Sequence, residues 1–254
     1  MKFSYLIILL CFSLFVGGCS SANKAEKSRI KRQTAQELYE EARVNLNSHN
    51  YRAAISKLET LDNRYPFGPY ADQAQLDLIY AYYKNNDNAS AISQADRFIR
   101  QHPRHTKVDY AYYMKGLVNF TAEVGFVQEV MSAKLDERDA GTARQAFNDF
   151  ADLVKKFPES QYAADARQRM IYLRNRLASY ELHVADYYME RKAYLGAANR
   201  AKYVLEHYPK TTENARALLI MMTAYNELGM SELAEKSRRS LIFNYPEYAK
   251  KIGL

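Results

Sequence analysis

Side chains able to do chemistry are few and dispersed in this chain. Two cysteines occur: Cys11 lies within an apolar run from Phe3 to Val16, and Cys19 follows Gly17-Gly18 just after it. A thiol can be a nucleophile, a metal ligand or half of a disulfide, and each use needs a partner nearby. Of the five histidines, His49, His102, His105, His183 and His207, only His102 and His105 are close, with no cysteine or carboxylate at ligand spacing. A metal site is therefore not expected. Neither a glycine-rich phosphate loop nor a nucleophile elbow is present. Aspartates and glutamates are interleaved with lysines and arginines, the pattern of solvated helix faces. The chain reads as a non-enzyme without a cofactor. What stands out is tyrosine, 22 copies beside no tryptophan, each a rigid apolar plate with a hydrogen-bonding tip.

The front of the chain is not fold. Lys2 supplies a positive start, and the run from Phe3 to Val16 is too short to span a bilayer comfortably. It ends in small residues, as a secretory signal does. The ending Val16-Gly17-Gly18-Cys19-Ser20 resembles the lipobox of bacterial lipoproteins, with Val16 where those usually carry leucine. The resemblance implies a signal peptide over 1–18 and a covalent lipid on Cys19. Ser20 after the cysteine implies sorting to the outer membrane, whose inner leaflet would hold the acyl chains and leave the protein on the periplasmic face. Processing removes Cys11, so no disulfide is expected although the compartment is oxidising. Residues 19–33 then form a lipidated tether, basic and without apolar periodicity, that anchors the chain without spanning the membrane. The net charge of +7 suits acidic partners or anionic head groups. Basic residues form no dense stripe, so nucleic acid is not an expected partner.

The side chains downstream must be positioned by something, and the chain carries a repeating frame. An aromatic or histidine precedes proline five times, at Tyr65-Pro66, His102-Pro103, Phe157-Pro158, Tyr208-Pro209 and Tyr245-Pro246. Twelve residues before each proline stands alanine (Ala54, Ala91, Ala146, Ala197, Ala234), and five before it an apolar residue (Leu61, Phe98, Leu153, Val204, Leu241). Twelve residues are just over three turns of helix, and the residue before proline is forced out of helical geometry. Each alanine therefore opens a helix that its proline closes, and the small side chain lets a second helix pack close. In three of the repeats a tyrosine stands 21 residues before the proline, at Tyr82, Tyr188 and Tyr225. Proline spacings of 37, 55, 51 and 37 residues predict an all-α, tetratricopeptide-type superhelix of five helical-hairpin repeats, about ten helices.

Repeats one and two occupy 34–104. Thr34 and Glu37 fit a capping box, and Asn85-Asn86-Asp87-Asn88 reads as a turn. Repeat three, 105–158, has its first helix over Lys107–Glu123 and its second over Ala143–Phe157, around an insertion at 125–141 bracketed by Gly125 and Gly141. Repeats four and five fill 159–254. The first helix of repeat four is overlong, Gln161 to Arg191, and repeat five presents Arg238 where the pattern wants an apolar residue, as a terminal cap would.

Unexplained features crowd between Arg52 and Tyr83. Pro66-Phe67-Gly68-Pro69 is stiffer than a plain connection needs, with Gly68 free to take positive φ or let a ligand approach. The adjacent tyrosines of Tyr80-Ala81-Tyr82-Tyr83 cannot all enter one helix seam. Arg52, Tyr65, Phe67, Gly68, Tyr70, Tyr80 and Tyr83 are therefore expected either to contact an extended peptide, Arg52 meeting a terminal carboxylate, or to lock repeat one onto repeat two. Arg200, one turn after Ala197, is too polar for the seam and suits a carboxylate on a partner.

The run Leu61-Asp62-Asn63-Arg64-Tyr65-Pro66-Phe67-Gly68-Pro69-Tyr70, with Gln75-Leu76-Asp77-Leu78-Ile79-Tyr80-Ala81-Tyr82-Tyr83-Lys84, closely resembles the BamD (ComL-type) family of outer-membrane lipoproteins. Asp96 to Arg100, Phe147 to Val154, Ser160-Gln161-Tyr162 and Asn199-Arg200 add to the resemblance. It implies a scaffold of the β-barrel assembly machinery. C-terminal repeats would hold the POTRA domains of a BamA-like protein, beside other Bam lipoproteins. N-terminal repeats would read the C-terminal signal of unfolded outer-membrane proteins. The alternative is a repeat lipoprotein serving another envelope machine, such as a pilus secretin or peptidoglycan enzymes.

Overall fold

A computed structural model describes residues 33–129 and 139–254; Cys19, the signal peptide and nearly all of the tether and of the polar part of the insertion lie outside them. Eleven helices and no strand occur among the described residues. They are α1 (Ala35–Asn47), α2 (Tyr51–Arg64), α3 (Ala71–Lys84), α4 (Asn88–Gln101), α5 (Val108–Glu129), α6 (Gly141–Lys156), α7 (Ala163–Glu190), α8 (Tyr194–His207), α9 (Asn214–Glu227), α10 (Ser231–Asn244) and the short α11 (Pro246–Lys251). This is the all-helical, tetratricopeptide-like repeat fold. The chain divides into two compact units, one ending at Ala81 and one beginning at Tyr82.

The proline frame closes the helices as its spacing predicts, whereas each helix opens three to five residues before its alanine. Tyr65, His102, Phe157, Tyr208 and Tyr245 are all helix C-caps, with φ between −135° and −123° and ψ between 54° and 65°. Each donates its N–H to the carbonyl four residues back, on Leu61, Phe98, Leu153, Val204 and Leu241. Those five apolar residues are fully buried, and the five alanines are at most 3 % exposed. Proline's clash with the preceding residue thus sets one exit geometry five times over.

A second regularity sits seventeen residues before the proline. His49, Asn86, Lys192 and Gly229 all take positive φ, between 59° and 69°. The next residue, Asn50, Asp87, Ala193 or Met230, donates its N–H to the carbonyl of Asn45, Tyr82, Tyr188 or Tyr225 at 2.8–2.9 Å. The pattern is a Schellman turn whose last residue also N-caps the following helix. Asn50 and Asp87 complete that cap with their side chains, accepting from Ala53 and Ser90.

Repeat three departs from expectation. Helix α5 runs through Gly125 to Glu129, into the stretch expected as insertion, and α6 opens at Gly141. A single glycine costs a helix only about 1 kcal/mol, and tertiary contacts outweigh it. Glu123 accepts from Arg176 Nε of α7 at 3.1 Å, both side chains buried, and the Phe120 ring meets Tyr172 edge-on at 5.7 Å. In the second unit α6 packs between α5 and α7, and Phe150 sits at the centre of that core, fully buried. Gly116 of α5 makes this approach possible, because a Cβ there would lie 2.5 Å from the Phe150 ring.

Candidate functional site

In the first unit, α1 starts at a complete capping box: Thr34 Oγ1 accepts from the Glu37 N–H, and the Glu37 carboxylate accepts from the Thr34 N–H. The cap holds the Glu37 carboxyl below the usual carboxylate range. From there the helix buries Leu38 and Ala42 and turns Tyr39, Arg43 and Leu46, spaced i, i+4, i+7, to the other side. On α3, Gln73, Asp77 and Tyr80 follow the same spacing. Those six residues, with Asn47 and His49, line an open cavity of about 600 Å³.

Polar groups in the cavity are tied together. Asp77 accepts from the Tyr39 hydroxyl at 3.1 Å and from Gln73 Nε2 at 2.8 Å. Partial burial, with Asp77 beside it, pushes the Tyr39 phenol up to about 12. Its ring stacks on Tyr70 at 5.1 Å, while Tyr80 meets Tyr51 edge-on at 6.2 Å and Tyr51 meets His49 at 5.9 Å. The result is a wall of rigid rings around a carboxylate that already has two donors, with the exposed Arg43 at the edge. Such a surface takes apolar side chains against its rings and peptide groups against its polar tips.

Of the residues singled out in the sequence, Tyr80 lines this cavity and Tyr70 backs it through Tyr39. The others lie elsewhere. Arg52 is exposed on the first turn of α2. Tyr65 is committed to the fold: its hydroxyl donates to the Gln33 carbonyl at 3.0 Å, and the Arg64 guanidinium covers its ring at 5.6 Å. Phe67 is 99 % exposed. Gly68 does not take positive φ, and an added Cβ would meet nothing nearer than 3.6 Å, so this turn does not require glycine. Tyr83 falls in the second unit, its hydroxyl 3.2 Å from Thr121 Oγ1. Sequence reading missed Tyr39, Arg43, Gln73 and Asp77. Their shared i, i+4, i+7 spacing on two helices was the available signal.

The second unit holds Arg200. Its guanidinium donates to Glu181 Oε2 at 2.8 Å, and Arg144 reaches Oε1 of the same carboxylate at 3.4 Å. Thus the carboxylate that suits Arg200 is supplied first by the chain itself, across the α7–α8 hairpin. Glu181 is buried while both arginines are about half exposed, so one buried negative charge carries two positive ones and leaves a surplus facing solvent. Among the described residues no group of three or more His, Cys, Asp or Glu could hold a metal ion, and no helix is long and apolar enough to cross a membrane.

Residues 31–241, which span both sites, match the YfiO family model, described as outer membrane lipoprotein. The chain belongs to that family. Curated relatives agree along nearly the whole length. An outer membrane protein assembly factor BamD of Vibrio cholerae is 40 % identical over 244 residues, covering 96 % of this chain and 99 % of its own. The BamD of Neisseria gonorrhoeae is 39 % identical, covering 95 % and 91 %, and that of Xylella fastidiosa 36 %, covering 96 % and 82 %. The family places the chain with the outer membrane, and the resemblance read from Leu61 to Lys84 extends along nearly the whole chain.

Proposed function

We propose that the chain is a non-enzymatic scaffold for outer-membrane protein assembly, lipid-anchored through Cys19 on the periplasmic face and working within a Bam complex. It needs no cofactor beyond that lipid. Its C-terminal repeats dock a BamA-like partner, and the half-exposed guanidiniums of Arg200 and Arg144 offer that partner's carboxylates a positive surface. Its first unit receives the extended C-terminal segment of an unfolded barrel protein. The observation that carries the reading is the likeness to BamD assembly factors across some 95 % of the chain. The aromatic cavity gives that likeness a chemical content: Tyr39, backed by Tyr70, and Tyr80 for the peptide's apolar and aromatic side chains, and Arg43 for a terminal carboxylate, with Arg52, outside the cavity, as the other carboxylate contact.

Peptide binding and folding can be separated. A labelled peptide copying the last strand of an outer-membrane barrel is titrated against wild type, Tyr80→Ala, Arg43→Glu, Arg52→Ala and Gly68→Arg, with thermal unfolding of each. Tyr80 and Arg43 are exposed, so their variants should melt with the wild type while binding about tenfold more weakly. Undiminished binding by both would remove the cavity from the reading. For the partner, Arg200→Glu should lose the BamA-like protein on co-purification, and full retention would move the docking surface away from α8.

A further inference from the structure

Phe67 has no role inside the fold and none in the cavity. Its ring is 99 % exposed on a turn that cannot fold it away. Pro66 and Pro69 fix the backbone on either side, the Gly68 N–H donates to the Tyr65 carbonyl at 3.3 Å, and the Ala71 N–H to the Gly68 carbonyl at 3.0 Å. The other repeats supply an internal comparison. At the residue after each repeat proline they carry Arg104, Glu159, Lys210 and Glu247. Four copies of this position are charged, and only the first displays a large apolar ring.

The neighbourhood of that ring says what covers it. Tyr65, two residues away, donates its hydroxyl to the Gln33 carbonyl at 3.0 Å, and Lys57 Nζ bonds Gln33 Oε1 at 3.3 Å. The point where the chain leaves the fold toward Cys19 is thus fastened beside the Phe67 turn. Thirteen residues lie between Cys19 and Gln33, a reach of at most about 50 Å, and nearer 20 Å for a relaxed chain. Within them Lys24, Lys27, Arg29, Lys31 and Arg32 stand against Glu26 alone, a balance that anionic head groups favour.

We propose that the Pro66–Pro69 turn is a membrane contact: Phe67 enters the head-group region of the leaflet that holds the Cys19 lipid, and seats the first unit against the bilayer. The proposal rests on the reading of Cys19 as the membrane anchor. An exposed aromatic next to a basic, lipid-bearing tether adds a second attachment to the first, and two attachments fix an orientation where one leaves the unit free to swing. The ring stands on a rigid turn between two prolines, almost wholly exposed.

The chain contains no tryptophan, so Phe67→Trp introduces a single reporter at the proposed contact. Protein running from Cys19 to Leu254 is coupled through the Cys19 thiol to a maleimide-headed lipid in phosphatidylethanolamine–phosphatidylglycerol vesicles. Coupling this way does not depend on cellular acylation, which fractionation of a Cys19→Ala variant tests separately. The expected result is blue-shifted emission, shielding from acrylamide, and quenching by lipids brominated along their acyl chains. In the uncoupled protein, Phe67→Asp should lower partition onto the same vesicles by about tenfold. Emission that stays red and acrylamide-accessible on coupled vesicles would overturn the proposal. So would a blue shift produced only by a barrel-derived peptide without lipid, which would return the ring to peptide capture.

Discussion

Gly116→Ala is a sharp test of how α5 and α6 are joined. In an ordinary helix interior this substitution stabilises, by about 0.5–1 kcal/mol, because alanine loses less backbone entropy than glycine. Here the new Cβ would stand 2.5, 2.6 and 2.9 Å from Cδ1, Cε1 and Cγ of Phe150. Carbon atoms do not approach so closely, so the ring or a helix must move. The ring has little room: Phe150 is fully buried, with Tyr113 and Phe120 packed at centroid distances of 6.1 and 6.3 Å. Overpacking of this kind costs about 1–3 kcal/mol, and with both helices pinned the upper half of that range applies. The net expectation is a loss of about 1–2 kcal/mol, or a fall in Tm of several degrees. Urea titration followed by circular dichroism measures it. Combining Gly116→Ala with Phe150→Leu should cost less than the two single losses added, because the smaller side chain vacates the contested space. A Gly116→Ala variant as stable as wild type, or more so, would refute the close-approach argument.

Other consequences are as direct. Tyr39, Tyr113 and Tyr208 are each pushed up to about 12, chiefly by burial, from an ordinary 10.0. Their contribution to stability is therefore whole below pH 10 and is lost as pH rises from 10 to 12, where the unfolded chain ionises first. Tyr39→Phe should make the first unit's alkaline loss shallower, as read by tyrosinate absorbance with circular dichroism. Gly229→Val places a branched side chain at φ +69° and should destabilise by about 1–2 kcal/mol, whereas a neutral outcome would mean that this turn is not held left-handed. Cys19→Ala should release the protein from the outer-membrane fraction when it is expressed without its partners. Full retention there would exclude the lipid as the anchor.

The fold was legible wherever a rule acts on one residue and its immediate neighbours. Proline constrains the residue before it in any context, so the five C-caps could be counted from the sequence, as could the alanines that admit a neighbouring helix. The left-handed turn position was legible in part. Asn86 lies in a stretch that reads as a turn, and asparagine and histidine tolerate positive φ better than most residues, but nothing in Lys192 announces it, and there the Schellman hydrogen bonds hold the conformation. Gly125 misled for the converse reason, since its local penalty is small against the buried Glu123–Arg176 pair a little upstream. The site depended on still longer distances. Asp77 finds Tyr39 thirty-eight residues away and Arg200 finds Glu181 nineteen residues away, and no local pattern encodes either partner. Tyr80 could be singled out because its tyrosine neighbours could not share one seam. Tyr39 stood alone on α1 and drew no notice.

Helix α7 has a bearing on how this protein comes apart. Arrays of hairpins usually fray from their ends, one unit at a time, because each unit holds only its neighbours. With 28 residues, α7 is twice the length of α8. It is fastened to α5 by Glu123–Arg176, to α6 by Arg144–Glu181, to α8 by Glu181–Arg200 and to α9 by Asp186–Arg216. Unzipping from the C-terminal end can free α10 and α11 cheaply. It must then stop, because releasing α8 or α9 strips partners from a helix that α5 and α6 still grip. Amide exchange should record this as a step: fast, independent opening in α10 and α11, then one slow shared opening for α5 through α9. Pulled at its C-terminal end, the chain would yield there by its last helices and keep the middle of its second unit intact.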